Sequence, residues 1–427
     1  CLFEFGNAHD LATHLRKLLA DPDLRQRLRR KAYDYGRSMI WSEVGRQYVS
    51  ALEQATQQHL EQLRVLGASN KLLMSMSLPK VQLQHLSIMT DGTGIFQHSV
   101  YSTPNRHHGY STDDNTRALI VTSMRWFLFH DNSVLRHQQT YLSFLHYAWS
   151  KRLGRFRNFL TFERSWRDAT GGDDCQGRAL WALGYVVAHA PNQSVQSLAE
   201  ELFLAAMPES GSLRHPRGQA FAILGLNYYF RQHPENRAAD ELFRLLAAKL
   251  SQSFAGHATK EWPWFEDIVT YENGRLPQAL IIAGHQHQNE DLLQLGFRTL
   301  RWLLDAQSSP AGHLSIIGND GWLHRGKEPA RFDQQPVESA ALIGACKAAY
   351  RASNNPQWLV EMRRCFEWFL GKNDGGVALI DFKTHGCHDG LTATGVNMNQ
   401  GAESVLSWLL SLLTMHEMQT GDAPEIT

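Results

Sequence analysis

Six helical stretches that are apolar all round, alternating with amphipathic ones, predict an all-α chain folded as an (α/α)6 toroid of six helical hairpins. Three observations carry that prediction. The apolar stretches begin about 45–65 residues apart, the period of a hairpin plus a long loop. Nearly every one opens on carboxylate, amide, guanidinium or aromatic groups, which gathers polar side chains at one end of an apolar barrel. The segments between them place apolar residues three and four apart with charges opposite, as helices with one solvated face do.

Residues 1–66 stand apart from this pattern. A short strand-like LFEF leads to a helix capped by Asn7 or Asp10, and Asp21-Pro22-Asp23 breaks it. A basic helix follows, and a third starts at Ser42-Glu43. The elements Asn7-Ala8-His9-Asp10, Asp21 to Leu28 (DPDLRQRL) and Trp41-Ser42-Glu43 resemble the C-terminal end of GT-B glycosyltransferases of the large family 4. That resemblance implies the tail of a glycosyltransferase domain, with the rest of the domain fused upstream and the sugar-nucleotide site in that upstream part. The other reading of 1–66 is a plain N-terminal helical arm.

Residues 67–112 predict an irregular stretch. LPKVQLQHLSIMT suggests a short helix, and DGTGIFQHSVYSTPNRHHGY reads as a loop with Gly-, Pro- and Asn-based turns. The glycines of DGTG have no apolar strand before them and no helix after them, which argues against a phosphate loop. From 113 onward the two helix types alternate. The apolar ones open with STDDNTRAL (111–119), GGDDCQGRALWALG (171–184), RHPRGQAFAILGL (214–226), YENGRLPQALIIAG (271–284), FDQQPVESAALIGA (332–345) and NMNQGAESVLSWLL (397–410). Their amphipathic partners fall at 133–153, 195–207, 239–254, 291–307 and 356–371. The arm at 43–66 supplies the remaining outer helix. A long-repeat α-solenoid is the alternative architecture, but its loops would not be so consistently polar and aromatic at one end.

Composition limits the function. Forty-two basic residues balance 42 acidic ones, which argues against a nucleic-acid partner. Twenty-one His, 12 Trp and 12 Tyr suit a neutral, polyhydroxylated ligand. The five cysteines are scattered without a CxxC pair, so neither a disulfide framework nor structural zinc is expected, and Cys346 and Cys365 read as core residues. No apolar run reaches the length of a membrane span, and the first residues show no signal-peptide pattern, so the expectation is a reduced, cytoplasmic protein.

The candidate site residues gather at the openings. Asp113-Asp114 and Asp173-Asp174 begin two apolar helices. A single aspartate there would serve as an N-cap or complement the helix dipole, but a tandem pair exceeds what one cap requires. Two carboxyl groups flanking a glycosidic oxygen are the apparatus of sugar cleavage, one protonating the leaving group and the other activating water or attacking. Asp114 and Asp174 are therefore the leading acid/base pair, with Asp267 in reserve beside Glu266. Trp166, Trp262 and Trp264 are candidate stacking platforms, the last two alternatively an apolar loop plug. Arg117, Arg178 and Arg275 either bind acidic sugar or phosphate or pair with the nearby aspartates. Arg331, Asp333, Gln335, Glu338, Gln400 and Glu403 are candidates for binding hydroxyls, with Asp333 equally a helix cap. His107, His108 and His388 suit hydroxyl binding or the proton transfer of an epimerase. HGCHDG, the His107-His108 pair and His285-x-His287 invite a metal, but loop or solvent-facing positions argue against one, and no metal or cofactor is expected. No GxSxG elbow or Cys/His dyad points to a serine or cysteine hydrolase.

Taken together, GIFQHSVYSTPNRHHGYSTDDNTRAL, GRFRNFLTFERSW, GGDDCQGRALWALG, WFEDIVTYENGRLPQAL, ARFDQQPVESAA and NQGAESVLSWLL resemble the helical module found behind family-4 glycosyltransferase domains in bacterial proteins. That module is similar to the six-hairpin glycosidase superfamily, which also holds sugar epimerases and unsaturated-uronyl hydrolases. The resemblance implies a carbohydrate-active domain over 67–427 acting on an oligosaccharide or glycan. Cleavage of glycosidic bonds is the leading expectation. A non-catalytic glycan-binding domain and an epimerase or isomerase are the alternatives.

Overall fold

The computed structural model describes residues 5–37, 49 and 76–420. The chain divides into two compact units, Cys1–Ala68 and Ser69–Thr427. In the first, helices α1 (Ala8–Ala20) and α2 (Pro22–Arg37) pack on each other. Asn7, rather than Asp10, caps α1, its side-chain oxygen accepting from the Asp10 N–H at 3.0 Å. Asp21 accepts from the Leu24 N–H at 2.9 Å to start α2, with Pro22 in its first turn. Leu11, Leu15 and Leu19, four residues apart on one face of α1, are exposed. Apart from residue 49, the helix expected from Ser42-Glu43, and with it the outer helix at 43–66, lies outside the described residues.

The second unit is the toroid. After the short α3 (Gln84–Ile88) come six inner helices: α4 (Thr112–Phe129), α6 (Asp173–His189), α8 (Pro216–Tyr229), α10 (Arg275–Gln286), α12 (Pro336–Ser353) and α14 (Ala402–Thr420). Between them run the outer helices α5 (Leu135–Ala148), α7 (Gln193–Ser210), α9 (Arg237–His257), α11 (Glu290–Ala306) and α13 (Gln357–Phe369). Each inner helix packs on the next, and α14 returns to α4, so the ring closes. Each outer helix packs on the inner helix before it. The inner helices are buried on all sides, which is why their sequences lack a polar stripe.

One seam of the ring is closer than the rest. In α6 and α8 glycines recur seven residues apart, Gly177 and Gly184 against Gly218 and Gly225. A Cβ on Gly184 would collide with the Gly225 carbonyl oxygen, and one on Gly177 with that of Gly218. Only residues without a side chain let these backbones touch.

The helix starts explain what the tandem aspartates are not. Ser111 caps α4 by accepting from the Asp114 N–H at 3.1 Å, and Gly172 occupies the cap of α6. Gln335 stands at the cap of α12 with Pro336 in its first turn, so Asp333 does not cap either. The aspartates of both pairs lie in the first turn with their carboxyl groups left for other partners. The stretch 91–110 is not all loop: Ser99–Val100 pairs with Thr103–Pro104, and a 3-10 turn spans Arg106–His108. Similar strand pairs brace the other loops, among them Tyr110–Ser111 with Phe159–Leu160 and Gly390–Thr392 with Gly395–Asn397. Cys346 and Cys365 are buried free thiols in the core.

Candidate active site

The loops entering the inner helices enclose a polar mouth with two lobes, of about 380 and 580 Å³. Asp113, Arg178 and Glu403 line both and mark the junction.

Under the junction a carboxylate holds the barrel together. Glu272, 1% exposed and at a φ of +45°, lies 3.1 Å from Arg117, 2.5 Å from Arg178 and 3.7 Å from Arg275. Burial opposes its charge, but Arg178, Arg117 and Arg275 outweigh that and hold its pKa at about 2. The remaining ion pairs of the two mouth-facing arginines bring in four more carboxylates, and Arg178 also lies over the Phe221 ring. Arg117 reaches Asp114 at 3.3 Å and Glu403 at 3.1 Å, and Arg178 reaches Asp113 at 2.8 Å and Asp174 at 3.6 Å. Both arginines are therefore taken up by carboxylates rather than offered to an acidic ligand.

The first lobe holds Asp114, only 7% exposed, together with Ser111, Asp333, Gln335 and Asp389. Burial pushes the Asp114 pKa up to about 7, against the pull of Arg117 and of Ser111, whose hydroxyl lies 2.5 Å away. Asp389 accepts from the Gly401 N–H at 2.7 Å and the Ser404 hydroxyl at 2.9 Å, which fixes it to the start of α14. The second lobe holds Asp174, which accepts from the Tyr271 hydroxyl at 2.8 Å, and Glu266, paired with Arg217 at 2.6 Å. Asp173 also lines it, but Arg155 and the N–H groups of Arg214 and His215 hold its carboxylate as a clasp between α6 and α8.

Of the residues singled out from sequence, Asp113, Asp114, Arg117, Asp173, Asp174, Arg178, Glu266, Asp333, Gln335 and Glu403 therefore meet at the mouth. Others do not. Trp262 and Trp264 are 6% and 0% exposed and pack on Trp302, so they plug the loop and present no ring to a ligand. Trp166 packs on Phe144 and Tyr147 of α5, outside the ring. Asp267 is exposed beside Arg325 at 2.8 Å and lines neither lobe, which removes it as the reserve acid. Arg331 is exposed near Asp374, and His107 is exposed on its 3-10 turn; neither lines the mouth.

Glu338, Gln400 and His388 are buried among their neighbours and line neither lobe. Glu338 accepts from the Asn273 N–H at 2.8 Å and from Gln307 at 3.1 Å; Gln400 bonds Thr384 and Asp381. Arg275 turns the other way, bonding Gln278 and lining a cavity at the far end of the barrel. His108 lines neither lobe but touches two residues that line the first: its ring meets that of His98 edge-on at 4.6 Å between centroids, and its carbonyl accepts from Gln97 Nε2 at 2.7 Å.

Several lining residues had no separate signal in the sequence. Tyr271, which lines the second lobe, and Glu272, which lies beneath the junction, sit inside the YENGR motif with nothing in their spacing to set them apart. Asp389 follows His388, whose ring drew the attention. His98 and Gln97 sit in the stretch read as irregular, and only the fold brings them to the first lobe.

No family model matches the chain, and no curated protein matches it in sequence. Solved structures do match in fold. A sugar epimerase from a ruminal bacterium has 11% identity and a TM-score of 0.63, the match covering 81% of this chain and 98% of that one. A GH76 α-mannanase from Bacteroides thetaiotaomicron has 10% identity and a TM-score of 0.56, over 83% and 96%. An inactive variant of an α-1,6-mannanase from Salegentibacter sp. HEL1_6, with two adjacent aspartates replaced and α-1,6-mannotriose in complex, has 12% identity and a TM-score of 0.51, over 83% and 99%. The fold is the (α/α)6 toroid. Among the described residues no helix is long and apolar enough to cross a membrane.

Proposed function

We propose that the toroid is a carbohydrate-active enzyme that cleaves glycosidic bonds of a neutral oligosaccharide held in its mouth, with Asp114 as general acid. The placement of Asp114 carries this reading. Burial raises its pKa to about 7, and it lines the same polar cavity as Asp113, Asp389 and Glu403. Two carboxyl groups whose surroundings set their basicities apart are what glycoside cleavage requires. Asp114 gives its proton to the glycosidic oxygen. Glu403, whose side chain is 45% exposed where the lobes join, accepts the proton of the attacking water. Asp174 in the second lobe is the other candidate for that base, and comparing Glu403→Gln with Asp174→Asn separates the two. The mannanase in which two adjacent aspartates were replaced and activity lost supports attention to the tandem pairs here.

A second reading, epimerisation, rests on His98. Burial and the neighbouring His108 pull its pKa down, leaving a neutral imidazole at the cavity wall that can take a proton from a sugar carbon. The likeness to a sugar epimerase supports it. The first unit belongs to the same proposal as the tail of a fused glycosyltransferase domain. Its Asn7 cap, its Asp21-Pro22 helix start and the exposed Leu11, Leu15 and Leu19 face support that reading.

The test is incubation with a panel of neutral oligosaccharides, with and without phosphate, followed by separation of the products. Shorter sugars are the expected result. An epimer of unchanged length points to His98 instead, and tight binding without any product would leave a glycan-binding accessory domain.

A further inference from the structure

At the end of the barrel opposite the mouth lies a second cavity, of about 580 Å³, to which all six inner helices contribute residues from their C-terminal halves. That volume is in the range of small-molecule sites. Its walls combine the rings of Phe127, Trp181, Tyr185 and Tyr228 with the aliphatic side chains of Met124 and Leu410. Four cations line it: Arg231, Arg275, Lys347 and Arg351.

The charges do not balance. Glu417 takes both Lys347, at 2.6 Å, and Arg351, at 2.9 Å. Arg231 has no carboxylate within ion-pair distance among the described residues; its guanidinium donates to His189 Nε2 at 3.2 Å and lies 4.9 Å from the centre of the Tyr228 ring. His189 contributes no compensating charge of either sign. Its Nδ1 lies 3.1 Å from the Tyr185 carbonyl and so carries the proton, leaving Nε2 as the acceptor, and burial pulls its pKa down to about 4. The wall around Glu417 thus presents three cations to one carboxylate. Arg275, 4% exposed on the floor, keeps a buried Nε without a hydrogen-bond partner and holds its guanidinium 4.6 Å from the Trp181 ring centre.

Helix dipoles account for part of this charge, since inner-helix C-termini converge here and attract cations. Arg351, in the last turn of α12, fits that explanation. Lys347 stands mid-helix, and Arg275 is the first residue of α10, where a cation opposes the dipole. Glu417 and Glu272 hold their charges instead, which leaves Arg231 as the lining cation with no carboxylate partner among the described residues.

We infer that the rear cavity is a binding site for a small aromatic anion, a planar ring bearing a carboxylate, phosphate or sulfonate. The ring lies among Trp181, Tyr185 and Tyr228, and the anionic group meets Arg231 beside Lys347 and Arg351. The site is separate from the mouth and from the reaction proposed there.

The probe is 8-anilinonaphthalene-1-sulfonate, titrated into the folded protein by fluorescence and calorimetry beside N-phenyl-1-naphthylamine, which has the same rings without the sulfonate. Saturable one-to-one binding of the sulfonate is expected, with affinity falling about tenfold or more in Arg231→Gln. The neutral analogue is expected to bind more weakly and to ignore that substitution. Ala348→Trp, which fills the cavity from its wall, is expected to abolish binding, with circular dichroism confirming the fold of each variant. Equal affinity for the neutral analogue, an unchanged Arg231→Gln variant, or no saturable binding to the wild-type protein would each overturn the inference.

Discussion

Asp114 and Glu272 sit within one hydrogen-bonded cluster yet have their pKa values driven in opposite directions, and the reason is the number of cations each one meets. Glu272 faces three guanidiniums, whereas Asp114 meets only Arg117, at 3.3 Å. Removing the Glu272 charge leaves Arg117, Arg178 and Arg275 buried against one another. Glu272→Gln is expected to lose about 3–5 kcal/mol of stability in urea unfolding at pH 7, the cost of breaking a buried pair from one side. Asp114 behaves in the reverse sense. Its folded pKa of about 7 lies above the 3.8 of an ordinary aspartate, so the folded state holds a proton that the unfolded chain releases. Its contribution to stability therefore falls as pH rises between those values. Asp114→Asn, which cannot ionise, is expected to gain in Tm relative to wild type as the pH of a melting series goes from 5 to 8. A constant difference across that range would show that Asp114 is not held protonated.

Among the elements, α6 and α8 make the sharpest claim. Alanine is worth about 1 kcal/mol over glycine in a helix interior, so Gly184→Ala would stabilise a helix standing alone. Here the added methyl meets the Gly225 backbone, and overpacking of that kind costs about 1–3 kcal/mol. A lower Tm for Gly184→Ala is expected, while Gly256→Ala, within α9 and with open space at its Cβ position, is expected to hold or raise the Tm. The helices themselves were legible in the sequence because burial on all sides and burial on one side leave different periodicities over a dozen residues or more. The strand pairs of the loops were not, since two or three residues carry no period. The same limit applies to the site. Asp113, Asp114, Asp173 and Asp174 announced themselves by falling at helix starts, whereas Asp389 and His98 reach the mouth only by how their loops fold. The tryptophans misled because stacking platform and loop plug share one composition, and only packing against Trp302 tells them apart.

For the whole molecule, the two ends of the barrel carry opposite character. The mouth is lined by Asp113, Asp114, Asp174, Asp333, Asp389, Glu266 and Glu403 against Arg117, Arg178 and Arg217, each already paired with a carboxylate. Such a lining repels uronates and phosphorylated sugars, whose charge would meet unpaired carboxylates. Neutral oligosaccharides are expected to bind more tightly than uronate-bearing ones of the same length by calorimetry, and raising the salt is expected to narrow the gap.

The most direct measurement is sugar release from a neutral oligosaccharide by the wild-type protein and by Asp114→Asn, with binding of the same sugar followed calorimetrically. Release by the wild type is expected, with a fall of about a hundred- to ten-thousandfold in the variant and binding left intact. Undiminished release by Asp114→Asn would contradict the assignment of Asp114 as general acid.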